Sequence, residues 1–437
     1  MFKSSSIIFL MIVSLAFQGN AQEKQVWSLD DCITYAVENN ITVKDAELAE
    51  DISEISMKQA KWQRMPNLSG NASQNLANGN SIDPITSEFV NKQIHSTSLG
   101  LSSQVTLYQG SKLSNQIKQN KLLLQQNSFY VEEAKNSIEL NITEAFIQTL
   151  YNKESVSISE NDLALSEKAF ENTKLLYEAG ASAAKDFVDA QSQLATSKYN
   201  VINAKSNYEM QLLTLKQLLE LEPETPFEIA DTELETTEAV LVPSKMEVYQ
   251  QALNTRPEIQ SSKVNIAVFE KGLSMAKGSY LPSLSLAGSL GTGYTNTQNL
   301  SFADQLDFNF NQRLGVTLSI PIYNRNSTKY QVQTAKINIE RAKLDKSTAE
   351  KTLFRNVETA WQNATAAQEK LIAANAAKSA AQAAYDLSKK QNDLGALSTF
   401  DLNVAQTALT NAEQNVVQAK YLTILYTQLL EFYQNQA

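Results

Sequence analysis

Four stretches of about ten residues alternate apolar and polar side chains, which is the period-two pattern of β-strands. In the first of them, Leu68 falls on one face and Asn67 on the other. The stretches occur as pairs: NLSGNASQNLA with SLGLSSQVTLY in the first half of the chain, and SLSLAGSLGTGY with RLGVTLSIPIY in the second. We therefore predict two β-hairpins, at about 67–108 and about 283–323.

The length of these strands suits a membrane. About ten residues is what a tilted membrane-spanning strand needs, and the alternative is a half-buried strand of a soluble sheet. The hairpin pairing, the continuous apolar faces and the polar loops at 78–96 and 292–312 favour the membrane. Four strands cannot close a barrel, and lipid does not tolerate open sheet edges. Several chains must then share one barrel, and three chains would supply twelve strands.

Two uninterrupted segments predict long helices. Residues 111–178 and 326–393 contain neither glycine nor proline, and each segment would be about 100 Å long as a helix. Apolar residues recur along them in steps of three and four, which predicts helix-on-helix packing. Many of these residues are alanines, which favour the close packing of several helices into a curved wall; a long coiled-coil rod is the alternative. The recurring residues are Val131, Ala134, Ile138, Ile142 and Ala145 in the first segment and Leu353, Val357, Ala360, Ala364, Ala367, Leu371 and Ala374 in the second.

One short motif occurs twice, half a chain apart. GASAAKDFVDAQ and GALSTFDLNVAQ begin at Gly180 and Gly395, which are 215 residues apart. A glycine after a long helix is typical of a left-handed C-terminal cap, so both motifs predict the turn at the tip of a helical hairpin. We predict that return helices follow over 183–221 and 398–434.

The chain is therefore predicted to contain two copies of one unit. The first copy spans 22–221 and the second 244–437, and a linker or equatorial segment at 222–243 joins them. Each copy has short helices, a β-hairpin, a long helix and a return helix. Two copies are too few for a solenoid, so an internal duplication within one shared architecture fits better.

Each tip carries carboxylates. Asp186 and Asp189 share one helix face, and Asp401 is the counterpart of Asp186, whereas Val404 stands where Asp189 would. One explanation is that an aspartate in a first helical turn complements the helix dipole. The other is that three chains arrange nine such carboxylates around a pore, where they attract cations.

Composition narrows the classes of function. Residues 1–21 have the charge and the short apolar core of a secretory signal peptide, which is too short for a membrane anchor, and no later apolar run approaches the length of a transmembrane helix. The net charge of −10 argues against nucleic-acid binding. With one histidine, His95, and one cysteine, Cys32, we predict no catalytic residue, no metal site, no cofactor and no disulfide. Cys32 is expected to be a small buried residue rather than a lipid attachment point.

These features together resemble the TolC-like outer-membrane efflux proteins, also called outer membrane factors. The resemblance covers almost the whole predicted mature chain. The residues that carry it are WSLDDCITYAVENN near the start, LKQLLELEPETPFEI at 215–229 and the two tip motifs.

The resemblance implies a fold that is α+β and mostly α. It implies a homotrimer in which a twelve-stranded β-barrel in the outer membrane continues into a long α-helical barrel across the periplasm. Such a channel docks with a periplasmic adaptor and an inner-membrane pump, exports drugs, metal ions or proteins, and has no catalytic activity. A periplasmic coiled-coil scaffold that transports nothing is the competing interpretation.

The resemblance also implies roles for residues at the tips, which close like an iris in this family. Asp186, Asp189, Asp401 and Tyr177 become candidates for the pore entrance, and Tyr177 keeps a tyrosine of the family's first copy. Asn392 and Leu397 replace a tyrosine and an arginine that lock the iris in some members.

Overall fold

The computed structural model describes residues 26–83, 85–230 and 243–434. The predicted signal peptide at 1–21 and the greater part of the predicted linker at 222–243 lie outside these residues. The elements of the first half are β1 (Val26–Trp27), α1 (Leu29–Asn39), α2 (Ile41–Trp62), β2 (Asn67–Ala77), β3 (Asn80–Ile82), β4 (Phe89–Asn91), β5 (Ile94–Gln109), α3 (Lys112–Glu178), α4 (Ala184–Leu218) and β6 (Glu228–Ile229).

The second half repeats the series of two helices, two long strands, a long helix and a return helix, with a short helix in place of β3 and β4. Its elements are α5 (Lys245–Thr255), α6 (Pro257–Gly278), β7 (Ser283–Thr295), α7 (Phe302–Phe308), β8 (Asn311–Ser319), α8 (Ser327–Asp393) and α9 (Thr399–Gln434). The two long helices, α3 and α8, have 67 residues each. The predicted fold class, α+β and mostly α with an internal duplication, is confirmed. Among the described residues, no helix combines the length and the apolar character needed to cross a bilayer.

The chain forms two compact units, and each unit draws segments from both sequence copies. The first contains the described residues within Met1–Asp45, Glu133–Leu253 and Leu353–Ala437. The second contains those within Ala46–Glu132 and Asn254–Thr352. All four long strands belong to the second unit, and both hairpin tips belong to the first.

The four long strands of the second unit form one antiparallel sheet in the order β2-β5-β7-β8. Strands β5 and β7 pair at the centre, so the sheet joins the hairpin of one copy to that of the other. Strands β2 and β8 are its edges. One row across the sheet consists of Asn71, Gly100, Gly291 and Asn311. The Asn71 Oδ1 atom lies 2.7 Å from where a Cβ of Gly100 would stand, so a larger residue at Gly100 would require the Asn71 side chain to move, whereas at Gly291 the nearest atom is 3.5 Å away.

Large apolar side chains of the sheet are exposed. Leu68 on one edge strand is 75% exposed, and Leu314 on the other is 79% exposed. Every residue of β8 is exposed in the single chain. Burial in an apolar environment is worth about 25 cal/mol per Å² of apolar surface, so these faces require lipid or other chains to cover them.

The two loops beyond the strand ends have structure of their own. The loop predicted at 78–96 contains the small hairpin of β3 and β4, and the loop predicted at 292–312 contains α7. Asp83 is fully buried between them and accepts hydrogen bonds from the Thr297 hydroxyl and from the backbone N–H groups of Ile85 (2.9 Å) and Thr86 (3.1 Å). One buried carboxylate therefore connects the loops of the two hairpins.

Two glycines allow a close backbone approach in the second unit. Gly110 follows β5 with a φ of 55°, and Gly278 ends α6. A Cβ on Gly278 would lie 2.4 Å from the carbonyl oxygen of Gly110, and one on Gly110 would lie 2.1 Å from that of Gly278. Such distances are far inside van der Waals contact, so either glycine can be replaced only if the backbone shifts.

The core of the first unit combines segments that are distant in sequence. Phe146 and Ile142 of α3 pack with Leu215 of α4 and Cys32 of α1, all at 0% exposure. Ser28 begins α1 through a capping box with Asp31. Burial raises the pKa of the Cys32 thiol to about 12, so Cys32 is the buried, unreactive residue that the sequence predicts.

The predicted alanine stripe of α8 is buried along most of its length. Leu353, Val357, Ala360, Ala364 and Ala367 are at most 4% exposed. Leu371 and Ala374, which continue the stripe, are half-buried. In α3 the corresponding residues are buried except Ala134, which is half-buried. The heptad spacing therefore identifies the packing face.

A buried carboxylate connects three helices of the first unit. Asp162 of α3 is 6% exposed. Its Oδ2 atom accepts a hydrogen bond from Ser197 of α4 (2.6 Å), and its Oδ1 atom accepts from Gln406 (2.8 Å) and Thr410 (3.0 Å) of α9. Ser166 completes the network with contacts to Ser197 (2.9 Å) and Gln406 (3.0 Å). The network fixes the relative register of α3, α4 and α9.

We expect the substitution Gly278→Ala to destabilise the protein by about 1–3 kcal/mol, because the added methyl group forces the Gly110 carbonyl away. Thermal unfolding of the detergent-solubilised protein, followed by circular dichroism, measures this. Gly272→Ala is the matched control on the same helix, since its Cβ would lie 3.5 Å from Gln119, an ordinary contact. Equal melting temperatures for the two variants would contradict the prediction.

We expect Asp162→Ala to lower the free energy of unfolding by about 2–4 kcal/mol, because it leaves the buried donors of Ser197 and Gln406 and the half-buried Thr410 hydroxyl without their acceptor. Glu160→Ala is the control, since Glu160 lies on the same helix in an exposed ion pair with Lys205 (2.7 Å). An exposed pair is worth about 0–1 kcal/mol. Urea unfolding of both variants compares the two costs, and similar costs would contradict a structural role for the network.

Candidate functional site: the hairpin tips

The two tip turns have the same backbone geometry. Gly180 has a φ of 75° and Gly395 a φ of 74°, in the left-handed region that glycine tolerates best. After each glycine, a backbone N–H reaches five residues back: Ala181 donates to Leu176 (2.8 Å) and Ala396 to Gln391 (2.8 Å). This is the bonding of a Schellman cap, which ends a long helix and reverses the chain.

In the first copy, both carboxylates have partners within their own tip. Asp186 is half-buried and accepts a hydrogen bond from the Ser182 hydroxyl at 3.3 Å. Asp189 accepts from the Lys185 ammonium at 2.6 Å, one helical turn earlier. The residue that precedes α4 is Ala183, which has no side chain able to cap the helix.

In the second copy, the carboxylate takes part in starting the helix. Ser398 precedes α9, and its hydroxyl accepts the Asp401 N–H (3.2 Å) and donates to the Asp401 carboxylate (2.6 Å). The aligned residue in the first copy is Ala183. The contact with Ser398 gives Asp401 a structural role at the start of α9. Its side chain is nevertheless exposed. Replacing it affects both the helix start and the local charge.

The structure brings all three predicted carboxylates near one cation. The pKa of the Lys185 ammonium is raised, first by its hydrogen bond to Asp189 and then by the charges of Asp189, Asp186 and Asp401. The same ammonium lies 5.3 Å from the ring centroid of Phe400, which belongs to the second copy. The two tips of one chain thus form a single charged cluster with Lys185 between them.

Tyr177 lies in the first-copy tip. Its ring stacks on Phe187 with a centroid distance of 5.1 Å and an interplanar angle of 15°. Phe170 also contacts Phe187, with a distance of 5.6 Å between the two ring centroids. Tyr177 is 42% exposed, so part of its surface is available to a neighbour.

Asn392 and Leu397 contact each other within the second-copy turn. The Asn392 side-chain amide donates to the Leu397 carbonyl at 2.9 Å. This bond closes the turn around Gly395. The residues that replace the family's locking pair therefore stabilise their own turn.

A groove of about 470 Å³ runs between the return helices α4 and α9 near the tips. Asp189 lies at its first-copy side and Phe400 at its second-copy side. The other lining residues are polar or small: Ser192, Gln193, Asn403, Val404, Thr407, Ala408 and Asn411.

The chemistry of the tips is electrostatic. Three carboxylates and one ammonium give this cluster a net negative charge, and such a cluster attracts cations. Within the part of the chain that the structure describes, no group of three or more histidine, cysteine or acidic residues could hold a metal ion.

Sequence reasoning missed Lys185, Phe400 and Asp162. Lys185 and Phe400 stand inside the repeated motifs at positions where the copies differ, so the comparison of the copies did not select them. Gln406 was part of the repeated motif, and its aligned residue Gln191 is exposed, whereas Gln406 is 2% exposed. Gln406 donates a hydrogen bond to Asp162, which is 244 residues away, so its burial could not be predicted from the motif alone.

A family model described as "Outer membrane efflux protein" matches residues 32–220 and 248–430, which is most of the chain. The outer membrane protein TolC of Escherichia coli is 22% identical over 189 residues, or 42% of this chain and 38% of that protein. The chain therefore aligns with less than half of the length of this curated relative.

Two solved structures share the fold over nearly the whole chain. The CusC structure, whose description mentions transmembrane channel formation, has a TM-score of 0.81 at 15% identity and covers 94% of this chain and 92% of its own. The Campylobacter jejuni CmeC outer membrane channel has a TM-score of 0.80 at 19% identity and covers 93% of this chain and 85% of its own.

The predictions of an outer-membrane location and of a non-enzymatic protein are confirmed, because the matched family and these relatives are outer-membrane efflux proteins and channels. The chain belongs to the outer membrane efflux protein family.

Proposed function

We propose that the chain forms the outer-membrane export channel of a tripartite efflux or secretion system. Three copies assemble into a ring with a twelve-stranded barrel and a helical barrel, and the hairpin tips form the pore entrance. The observation that carries this proposal is the sheet with two open edges, β2 and β8, and exposed apolar faces.

The open edges require partners if the sheet lies in lipid. Each edge strand has backbone N–H and C=O groups that the sheet does not pair on its outer side, and hydrocarbon offers them no hydrogen bonds. Edge-to-edge pairing of β8 with β2 of another chain satisfies these groups. Four strands per chain keep the antiparallel alternation around a closed ring, and three chains reach a size that membrane barrels adopt.

The tips supply the charged part of the channel. In a trimer, Asp186, Asp189 and Asp401 contribute nine carboxylates, and Lys185 contributes three ammonium groups. Asp186, Asp189, Asp401 and Tyr177 are our candidates for the pore entrance, with turns at Gly180 and Gly395. A narrow ring with this excess of negative charge favours cations and binds multivalent cations.

The proposed partners are a periplasmic adaptor, an inner-membrane pump and the outer-membrane lipid. The proposed cargo is small molecules or other material that the pump delivers, such as drugs, metal ions or proteins. The family assignment supports this proposal, and so does the relative described as an outer membrane channel. The two-copy chain with domains at 22–221 and 244–437, joined at 222–243, remains our proposal for how one gene supplies two tips to the ring.

We expect the purified protein to form a small, cation-selective channel in a planar bilayer. The triple substitution Asp186→Asn, Asp189→Asn, Asp401→Asn should reduce the cation preference about five-fold or more, because one charge at close range is worth about 1 kcal/mol even in water. The remaining Lys185 side chains should add to the loss. The reversal potential in a salt gradient measures the preference.

The control is a triple variant with the same change in charge, Glu154→Gln, Glu160→Gln, Glu413→Gln. These acids form exposed or half-exposed ion pairs between helices of the same unit. If both variants conduct like the native channel, the tip carboxylates do not control ion entry. If the native protein forms no channel and is extracted without detergent as a light species, the scaffold interpretation is correct and the proposed function is wrong.

A further inference from the structure

We infer that Lys185 joins the two tips of one chain and sets the ion preference of the pore entrance. This inference rests on the proposed function and deepens it. It names a basic residue, rather than a further acid, as the determinant of selectivity and of closure.

The geometry places the Lys185 ammonium between elements of both copies. It donates to the Asp189 carboxylate at 2.6 Å on its own helix, and it lies 5.3 Å from the ring centroid of Phe400 at the start of α9. An ammonium over an aromatic face is attracted by the negative face of the ring. One side chain thus connects the start of the first return helix to the start of the second.

The charges around Lys185 come from both copies as well. Asp189 and Asp186 lie on its own helix, and Asp401 lies beside Phe400 on α9; the charges of all three raise the pKa of Lys185. The ammonium therefore offsets one of the three negative charges at the tips of each chain. Summed over these four groups alone, the charge of a trimer would be six rather than nine negative units.

The alternative is that Lys185 is an ordinary surface residue in an ion pair one helical turn long. Its side chain is 72% exposed, and exposed pairs of this kind contribute little. The structure offers a direct comparison, because Lys174 pairs with Glu178 at 4.0 Å with the same i,i+4 spacing. The difference is the contact of Lys185 with Phe400 across the copies.

Joining the tips matters because the other turn residues make contacts only within their own tips. Asn392 bonds to Leu397 within the second-copy turn, and Tyr177 stacks on Phe187 within the first. Lys185 contacts both tips. Movement of one tip away from the other must break its contact with Phe400, so this contact stabilises the arrangement with the two tips together, which we assign to the closed entrance.

We expect Lys185→Gln to raise the open probability of the native channel about five-fold, because three weak contacts are lost at once in a trimer. It should also raise the cation preference, since three positive charges leave the entrance. The matched controls are Lys185→Arg, which keeps the charge, and Lys174→Gln, which removes the ammonium of the Lys174–Glu178 ion pair on α3. Both should behave like the native protein.

A second variant separates the bridge from the charge. Phe400→Leu keeps an apolar side chain and the Lys185 charge but removes the aromatic ring. It should raise the open probability without changing the reversal potential. A shift of the reversal potential in Lys185→Gln, without one in Phe400→Leu, assigns the ion preference to the ammonium itself. If Lys185 had only a structural role, the open probability and the reversal potential would not change in this way in the two variants.

The inference fails if the native protein conducts and Lys185→Gln resembles Lys174→Gln, which leaves the proposed function intact. Hydrogen exchange of the detergent-solubilised full chain tests the bridge without a channel. Lys185→Gln should speed exchange at 395–404, in the second-copy tip, whereas Lys174→Gln should not. Unchanged exchange there would overturn the bridge whether or not the protein conducts.

Discussion

The packing of two helices of 67 residues along apolar stripes, which in α8 consist mostly of alanine, is the constraint on which the first unit depends. Alanines at 360, 364 and 367 allow helices to approach closely, but identical small residues at every step distinguish poorly between one register and the next. For α3, whose packing face also contains alanines, Asp162 supplies this specificity. Its carboxylate has a fixed set of donors on α4 and α9, and a slip of either helix would leave a buried charge without hydrogen bonds.

Much of the architecture could be predicted from local pattern, because the cause of each element is local. Period-two alternation indicated the strands, the absence of glycine and proline indicated the long helices, and Gly180 and Gly395 indicated the turns. The contacts at the tips could not be predicted in the same way. Lys185 with Phe400 and Asp162 with Gln406 are pairs more than two hundred residues apart, and neither pair has a recognisable local signature. The sequence predicts polar loops at 78–96 and 292–312. It does not predict that the buried Asp83 connects them, because that contact depends on the three-dimensional path of both loops.

The two tips share one sequence motif but make different contacts. Both copies keep the glycine turn and the first aspartate, so the backbone is the same. Ser398 caps the second helix, whereas Ala183 leaves the first without a cap, and the first copy has Lys185 and Asp189 where the second has Phe400 and Val404. Complementary differences of this kind allow the copies to contact each other, which two identical tips with the same charge would not favour.

The central pairing of β5 with β7 has a consequence for symmetry. Strand β7 is the second-copy counterpart of β2, and β8 that of β5, so the joint inside each chain is the same kind of joint that β8 would make with β2 of a neighbour. A ring of three such chains has six nearly equivalent joints, three within polypeptides and three between them. Each contact between subunits is then head-to-tail, which generates rotational closure and excludes a two-fold pair. In the proposed ring, duplication makes half of these joints part of a single polypeptide, which halves the number of independent chains that must meet.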